Sequence, residues 1–136
     1  MTRKTFWITL IVGGVLLVPP PVMAHHAVQG QFDFQKPLEL SGVLTKMEWI
    51  NPHAQMHLEV TNKNGTKTNW SFETINPTKL REKGLGRASK GGFEVGKTYV
   101  ANGDSAWNGG PYAFLKSIRM PDGRTITLWF GDPNGN

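Results

Sequence analysis

The sequence predicts a small, mostly-β domain with one short helix. Along several segments apolar residues alternate with polar ones, as expected where one face of a strand is buried and the other meets solvent. Turns rich in Asn, Asp, Gly and Pro separate these segments, for example at 62–65 and 120–123. The stretch 76–84 has helix signals instead: a capping Asn, a proline in the first turn, late basic residues and a terminating glycine.

The alternation is clearest in the first three predicted strands. Its phase changes at Gly42, so we expect a bulge or bend there within one long first strand that begins near Leu38. The second and third strands should form a hairpin around the turn at 62–65. The residues expected to face the core are Met56, Leu58, Trp70 and Phe72. Those expected on the opposite face are His57, Glu59, Asn69 and Ser71.

Three further strands are predicted at 97–103, 112–119 and 125–130. Three strands, a helix and two strands is the order of the OB-fold, a small closed or nearly closed barrel, here with one extra C-terminal strand. A long, bent first strand favours a barrel because such a strand can serve both halves of the curved sheet. The sequence therefore predicts an OB-like β-barrel with a short helix between its third and fourth strands, although a small β-sandwich would accept the same strands.

The first 24 residues have the pattern of a secretory signal peptide. A basic pair near the N-terminus precedes an apolar stretch, 6–18, which ends at three prolines before Val22-Met23-Ala24. That stretch is well short of the ~20 residues that a membrane-spanning helix needs. We expect cleavage after Ala24 and a periplasmic or secreted protein with no membrane anchor after cleavage.

The remainder, 25–136, is expected to form one domain. An extended N-terminal segment at 25–37 should lead into the barrel domain at 38–130, and a flexible tail should follow at 131–136.

Composition narrows the classes of partner and site. The formal net charge of +5 falls by two when Arg3 and Lys4 are removed with the signal segment, and the other cations are scattered singly. We therefore expect no nucleic-acid partner. The chain has no cysteine, which excludes disulfides, thiolate metal sites and thiol nucleophiles.

Several short motifs together resemble a known family. They are Ala24-His25-His26, Phe32-Asp33, Pro37, Gly42, Trp49, Asn51-Pro52-His53, Trp70 and the helix signals Asn76-Pro77, Leu80 and Gly84. This set resembles the bacterial domain-of-unknown-function family 6152, small exported proteins with a His-His mature N-terminus and a Trp-x-Asn-Pro-His corner. Ala27, where the pattern has Ser, and His57, where it has an aromatic or aliphatic residue, depart from it. The resemblance implies an exported protein of this fold and no established activity.

The four histidines lie in two clusters, 25–26 and 53–57. Cleavage after Ala24 would give His25 a free α-amine, so its amine and imidazole could chelate one metal ion. A third nitrogen from His53 or His26 would complete a set suited to Cu(II), which makes copper the candidate cofactor. His57 would lie about 13 Å from His53 along an extended strand, too far to share the ion. The alternative is that the His-His start is an exposed polar tail.

A second candidate site is an aromatic rim. Loops after the first and fourth strands border the usual ligand surface of an OB-fold, so Trp49, Asn51, Trp107 and Tyr112 are expected to contact a small ligand there. Such rings stack on sugars or bases. The alternative is that they are buried in or beside the core.

No catalytic residues are predicted, because the carboxylates show no paired spacing typical of a glycosidase and no serine lies in a nucleophile-elbow motif. The expected function is an exported binding protein with Cu(II) as its candidate ligand. The alternative is a module that binds a non-metal ligand or a partner through the aromatic rim. A copper-dependent oxidoreductase is a further, weaker alternative, since so small a barrel offers little surface to hold a large substrate.

Overall fold

The protein consists mainly of β-strands, as the sequence predicts. The computed structural model describes residues 30–86 and 88–129. Its strands are β1 (Phe32–Glu48), β2 (Gln55–Thr61), β3 (Lys67–Glu73), β4 (Thr98–Ala106), β5 (Tyr112–Arg119) and β6 (Thr125–Thr127). Between β3 and β4 lie a short helix, α1 (Pro77–Glu82), and a 3-10 turn, Ala88–Lys90. The predicted signal peptide, His25, His26 and the predicted C-terminal tail lie outside the described residues.

The six strands form one sheet whose pairings include a closed ring of hydrogen bonds. The strand order is β3-β2-β1-β4-β5-β6, and an additional pairing joins β3 to β5. Neighbours run antiparallel except at this β3–β5 closure, where 71–73 and 112–114 pair in parallel. Beside the closure, the amide of Ser71 donates to the carbonyl of Pro111 at 3.0 Å. The ring therefore brings the end of β3 against the start of β5.

β1 is one long strand, and it begins at Phe32 rather than near Leu38. Part of the predicted N-terminal segment therefore belongs to the sheet, where it pairs with β4. The pairing of β1 with β4 is irregular between Phe32 and Pro37. Its pairing with β2 shifts between Leu44 and Lys46.

Gly42 lies between these two irregularities, so the register does not shift at the position where the sequence predicts the bend. The glycine has another use, because β1 approaches β2 closely there. A Cβ added at Gly42 would lie 2.9 Å from the carbonyl oxygen of Glu59. Any side chain at this position would force the two strands apart.

The main core lies on one face of the sheet. The strict alternation of β2 buries Met56, Leu58 and Val60, and β3 buries Phe72. The predicted core positions are thus confirmed for three of the four residues, while Trp70 is half-buried at the edge of the core. We call the opposite face of the sheet the outer face; His57, Glu59, Asn69 and Ser71 lie on it, as predicted.

A second apolar cluster covers part of the outer face. Phe114 faces away from its neighbours Ala113 and Leu115, which belong to the main core. It packs with the buried Phe32 and with Trp129. The start of β1 is thereby held across the outer face of β5.

α1 follows the sequence signals. The Asn76 side chain accepts a hydrogen bond from the amide of Lys79 at 2.9 Å, Pro77 occupies the first turn, and Leu80 is buried in the main core. Among residues 30–86 and 88–129, no helix is both long and apolar enough to span a membrane.

Candidate functional site

The polar side chains of the corner between β1 and β2 lie in two different places. Asn51 and Pro52, joined by a cis peptide bond, line an open groove of about 510 Å³ beside α1. The imidazole of His53 instead meets the carboxylate of Glu73 at the end of β3.

His53, Glu73 and Tyr112 form one connected group, which we call the Glu73 network. Glu73 is only 9% exposed. Its Oε1 contacts Nδ1 of His53, and its Oε2 accepts a hydrogen bond from the Tyr112 hydroxyl at 2.5 Å. Because an ionised carboxylate only accepts hydrogen bonds, Nδ1 of His53 carries the proton in this pair. When His53 is neutral, its lone pair is on Nε2.

The electrostatics of the network keep the carboxylate ionised and the phenol protonated. Burial alone would raise the pKa of Glu73, but the hydrogen bonds from His53 and Tyr112 together lower that pKa below its usual value. Burial, helped by the adjacent Glu73 carboxylate, raises the pKa of Tyr112 well above its usual value. Tyr112 therefore remains a hydrogen-bond donor to Glu73 throughout the neutral range.

A second polar group, which we call the His57 network, lies on the outer face of β1, β2 and β3. The hydroxyl of Ser71 lies 2.9 Å from Nδ1 of His57, and Oε1 of Glu48 lies 3.0 Å from Nε2. Lys46 donates to the same carboxylate oxygen at 2.8 Å. The hydrogen bond from Lys46 is the main reason why the pKa of Glu48 is lowered. No motif in the sequence points to this group, although the hairpin pairs His57 directly with Ser71.

The predicted aromatic rim is divided among different contacts. Trp49, which is 38% exposed, packs 6.3 Å from Phe93 between ring centres, and the Arg81 guanidinium lies 6.0 Å from its ring. Tyr112 packs instead 5.1 Å from Phe32. Trp107 is 59% exposed. Trp49 and Tyr112 therefore contact different rings. That both rings bind one ligand stays a prediction.

Of the predicted metal ligands, His53 falls within the described part of the chain, whereas His25 and His26 do not. No group of three His, Cys, Asp or Glu residues within 30–86 and 88–129 is arranged to hold a metal ion.

A search of curated proteins found no match to the chain. The family of unknown function DUF6152, by contrast, matches residues 14–111, which include the corner, α1 and every described histidine. The resemblance drawn from the sequence motifs is confirmed, and the chain belongs to the DUF6152 family.

Proposed function

We propose that the protein is an exported Cu(II)-binding protein. The ligands would be the amine and imidazole of the mature N-terminal His25, together with Nε2 of His53, with His26 as the alternative third donor. The orientation of His53 by the Glu73 network is the observation that supports this function best. Three nitrogen donors suit Cu(II), which ranks highest in affinity among the divalent first-row metals.

The Glu73 network resembles the hydrogen-bonding groups that orient a metal-binding histidine. A histidine ligand almost always donates its other ring N–H to a carboxylate, carbonyl or water, which fixes the ring and strengthens the free nitrogen as a ligand. Glu73 contacts Nδ1 of His53 and is itself held by Tyr112. Because Glu73 is nearly buried, it offers His53 one defined position.

The chain enters the fold close to His53. β1 starts at Phe32, whose ring packs against Tyr112; Tyr112 bonds to Glu73, and Glu73 contacts His53. At about 3.3 Å per residue, the segment from His25 to Gly30 can span roughly 16 Å. The proposal requires this segment to bring the α-amine of residue 25 to the His53 ring.

Export is part of the proposal, because cleavage after Ala24 creates the free amine. The intact mass of the exported protein tests this step, and a mass corresponding to residues 25–136 is expected. A mass that includes residues 1–24 would contradict it, and so would firm retention in the membrane.

A titration with Cu(II) against a competing chelator tests the ligand set. The processed protein should bind one Cu(II) more tightly than a form that retains Met before His25, because that extension removes the free amine from residue 25. His53→Ala should also weaken binding, and Glu73→Gln should lower the affinity by about 10–100-fold. His57→Ala is the matched histidine control and should leave the copper affinity unchanged.

Two results would overturn the ligand set. Equal affinity of the processed and Met-extended forms would exclude the amine. If neither form binds more tightly than a free His-His peptide, the histidines are a polar tail, and the module with an aromatic rim becomes the better reading.

The ring of strand pairings supports a finer description of the fold, an OB-like barrel. β1 pairs with both β2 and β4, β3 pairs with β5, and α1 lies between β3 and β4, as in that fold. Amide hydrogen exchange tests the closure through the Ser71 amide, which donates to Pro111. In a barrel this amide should exchange as slowly as those inside the β2–β3 hairpin, and fast exchange would indicate an open sheet.

A further inference from the structure

Hydrogen bonds link a hydroxyl, an imidazole and a carboxylate within the His57 network. None of these groups belongs to the proposed copper ligands. We propose that Ser71, His57 and Glu48 form a nucleophilic site at which Ser71 accepts acyl groups from activated carboxylic esters and passes them to water. The inference rests only on described residues and needs no metal ion, so it stands or falls independently of copper binding.

The hydrogen bonds assign a role to each group. Glu48 accepts the Nε2 proton of His57 at 3.0 Å, so Nδ1 keeps its lone pair and accepts the Ser71 hydroxyl at 2.9 Å. A nucleophile within about 2.6–3.2 Å of a base, with the base oriented by a third group, is the arrangement that activates a serine. In the serine-protease triad the serine bonds to Nε2 and the carboxylate to Nδ1, and here the two ring nitrogens exchange these partners. Either nitrogen can act as the base when the other carries the proton.

Paired strands hold these groups in place. His57 and Ser71 are direct partners in the β2–β3 ladder, and Glu48 lies at the end of β1, which pairs with β2. Lys46, 2.8 Å from Glu48, favours the ionised carboxylate that must accept from His57. The side chains of His57 and Glu48 are 22% and 31% exposed, and Ser71 is half-buried, so the group borders solvent.

The reaction needs no oxidant or reductant. Ser71 Oγ attacks the ester carbonyl carbon while His57 Nδ1 takes the hydroxyl proton. The bond to the leaving oxygen then breaks, and that oxygen departs as the alcohol with the proton from His57. Water next attacks the acyl-serine, again giving its proton to His57, and the carboxylic acid leaves as Ser71 recovers its proton.

The backbone around Ser71 limits the class of ester. An efficient hydrolase directs backbone N–H groups at the developing oxyanion. The Ser71 amide is already bound to the Pro111 carbonyl at 3.0 Å, so it is not available as such a donor. We therefore assign the site to esters with a good leaving group, such as aryl esters, whose cleavage needs less stabilisation of the oxyanion.

Two probes test the site in the processed protein with a chelator present. p-Nitrophenyl acetate should release nitrophenol and leave an acetyl group on Ser71, located by peptide mass mapping. A fluorophosphonate should form a phosphorus–oxygen bond to the same hydroxyl as fluoride leaves. Labelling should be at least about 100-fold faster than in His57→Gln, which keeps Ser71 but removes the base, the lower end of the range for general-base catalysis.

Matched variants separate the proposed roles. Ser71→Ala should abolish the label, whereas Ser117→Ala, which changes a half-buried serine of β5, should not. Glu48 acts as a positioning residue, so Glu48→Gln should lower kcat and leave KM nearly unchanged. Thermal melts show which variants fold, and if Ser71→Ala does not, the mapped position of the label in the wild-type protein decides.

The proposal is overturned if the label maps to a residue other than Ser71. It is also overturned if His57→Gln reacts as fast as the wild-type protein. Absence of any label would show that the His57 network is a solvated surface group.

Discussion

Removing the Tyr112 hydroxyl measures how much its hydrogen bond to Glu73 contributes to the free energy of unfolding. Tyr112→Phe keeps the ring that packs 5.1 Å from Phe32 but deletes the donor to the nearly buried Glu73 carboxylate. Hydrogen bonds to charged groups contribute about 1.5–3 kcal/mol, so the free energy of unfolding should fall by that amount. In the Glu73→Gln background the acceptor is neutral, and the same change should cost only about 0.5–1.5 kcal/mol.

A double-mutant cycle by urea denaturation, followed by tryptophan fluorescence with a chelator present, provides the assay. The wild-type protein, both single variants and the double variant are compared at equal denaturant slopes. The expected coupling energy is about 1 kcal/mol. Equal costs in both backgrounds would mean that the charge of Glu73 does not strengthen the hydrogen bond. If Tyr112→Phe costs almost nothing in either background, the hydroxyl does not hold Glu73, and the orientation of His53 by a held Glu73 is refuted.

Three further predictions concern the fold. Phe72→Ala should lower the free energy of unfolding by about 3–5 kcal/mol, because the ring is fully buried, and almost no loss in urea would mean that its strand phase is wrong. Gly103→Ala should lower the free energy of unfolding by about 1–3 kcal/mol, since its Cβ would lie 2.0 Å from the Phe114 carbonyl oxygen. The control Gly86→Ala, whose Cβ would have no contact nearer than 3.6 Å, should lower it less. Equal losses would contradict the close approach of β4 and β5. Burial raises the pKa of Tyr99, so the contribution of its phenol to stability is present below about pH 10 and is lost as the pH rises through the pKa of the folded state. Tyr99→Phe should therefore reduce the loss of stability at alkaline pH. An unchanged slope of stability against pH would contradict this prediction.

The hairpin core could be predicted because its signal is local. Met56, Leu58 and Phe72 alternate with polar residues, and a one-residue slip would move them all into solvent. Trp70 has the same phase but is half-buried, since it lies at the edge of the core and large rings are rarely buried completely.

The start of β1 could not be predicted from local pattern. Residues 32–37 show no alternation, because Phe32 packs in the second apolar cluster and the pairing with β4 is irregular. Their strand conformation depends on β4 and β5, which are distant in sequence.

Only part of the candidate site can be predicted from the sequence. The corner motif points to His53. The hairpin register is the signal for Glu73, because a turn that pairs Thr61 with Lys67 also pairs Gln55 with Glu73. The sequence predicts a role for Tyr112 only as a ligand-stacking ring. Its bond to Glu73 depends on the parallel closure of β3 on β5, which no local pattern reports.

Electron paramagnetic resonance of the processed protein with one equivalent of Cu(II) tests the proposed copper site most directly. Nitrogen couplings from the His25 amine, the His25 imidazole and the His53 imidazole are expected, and His53→Ala should remove one imidazole coupling while His57→Ala leaves the spectrum unchanged. A spectrum that His53→Ala does not alter would contradict the assignment of His53 as a copper ligand.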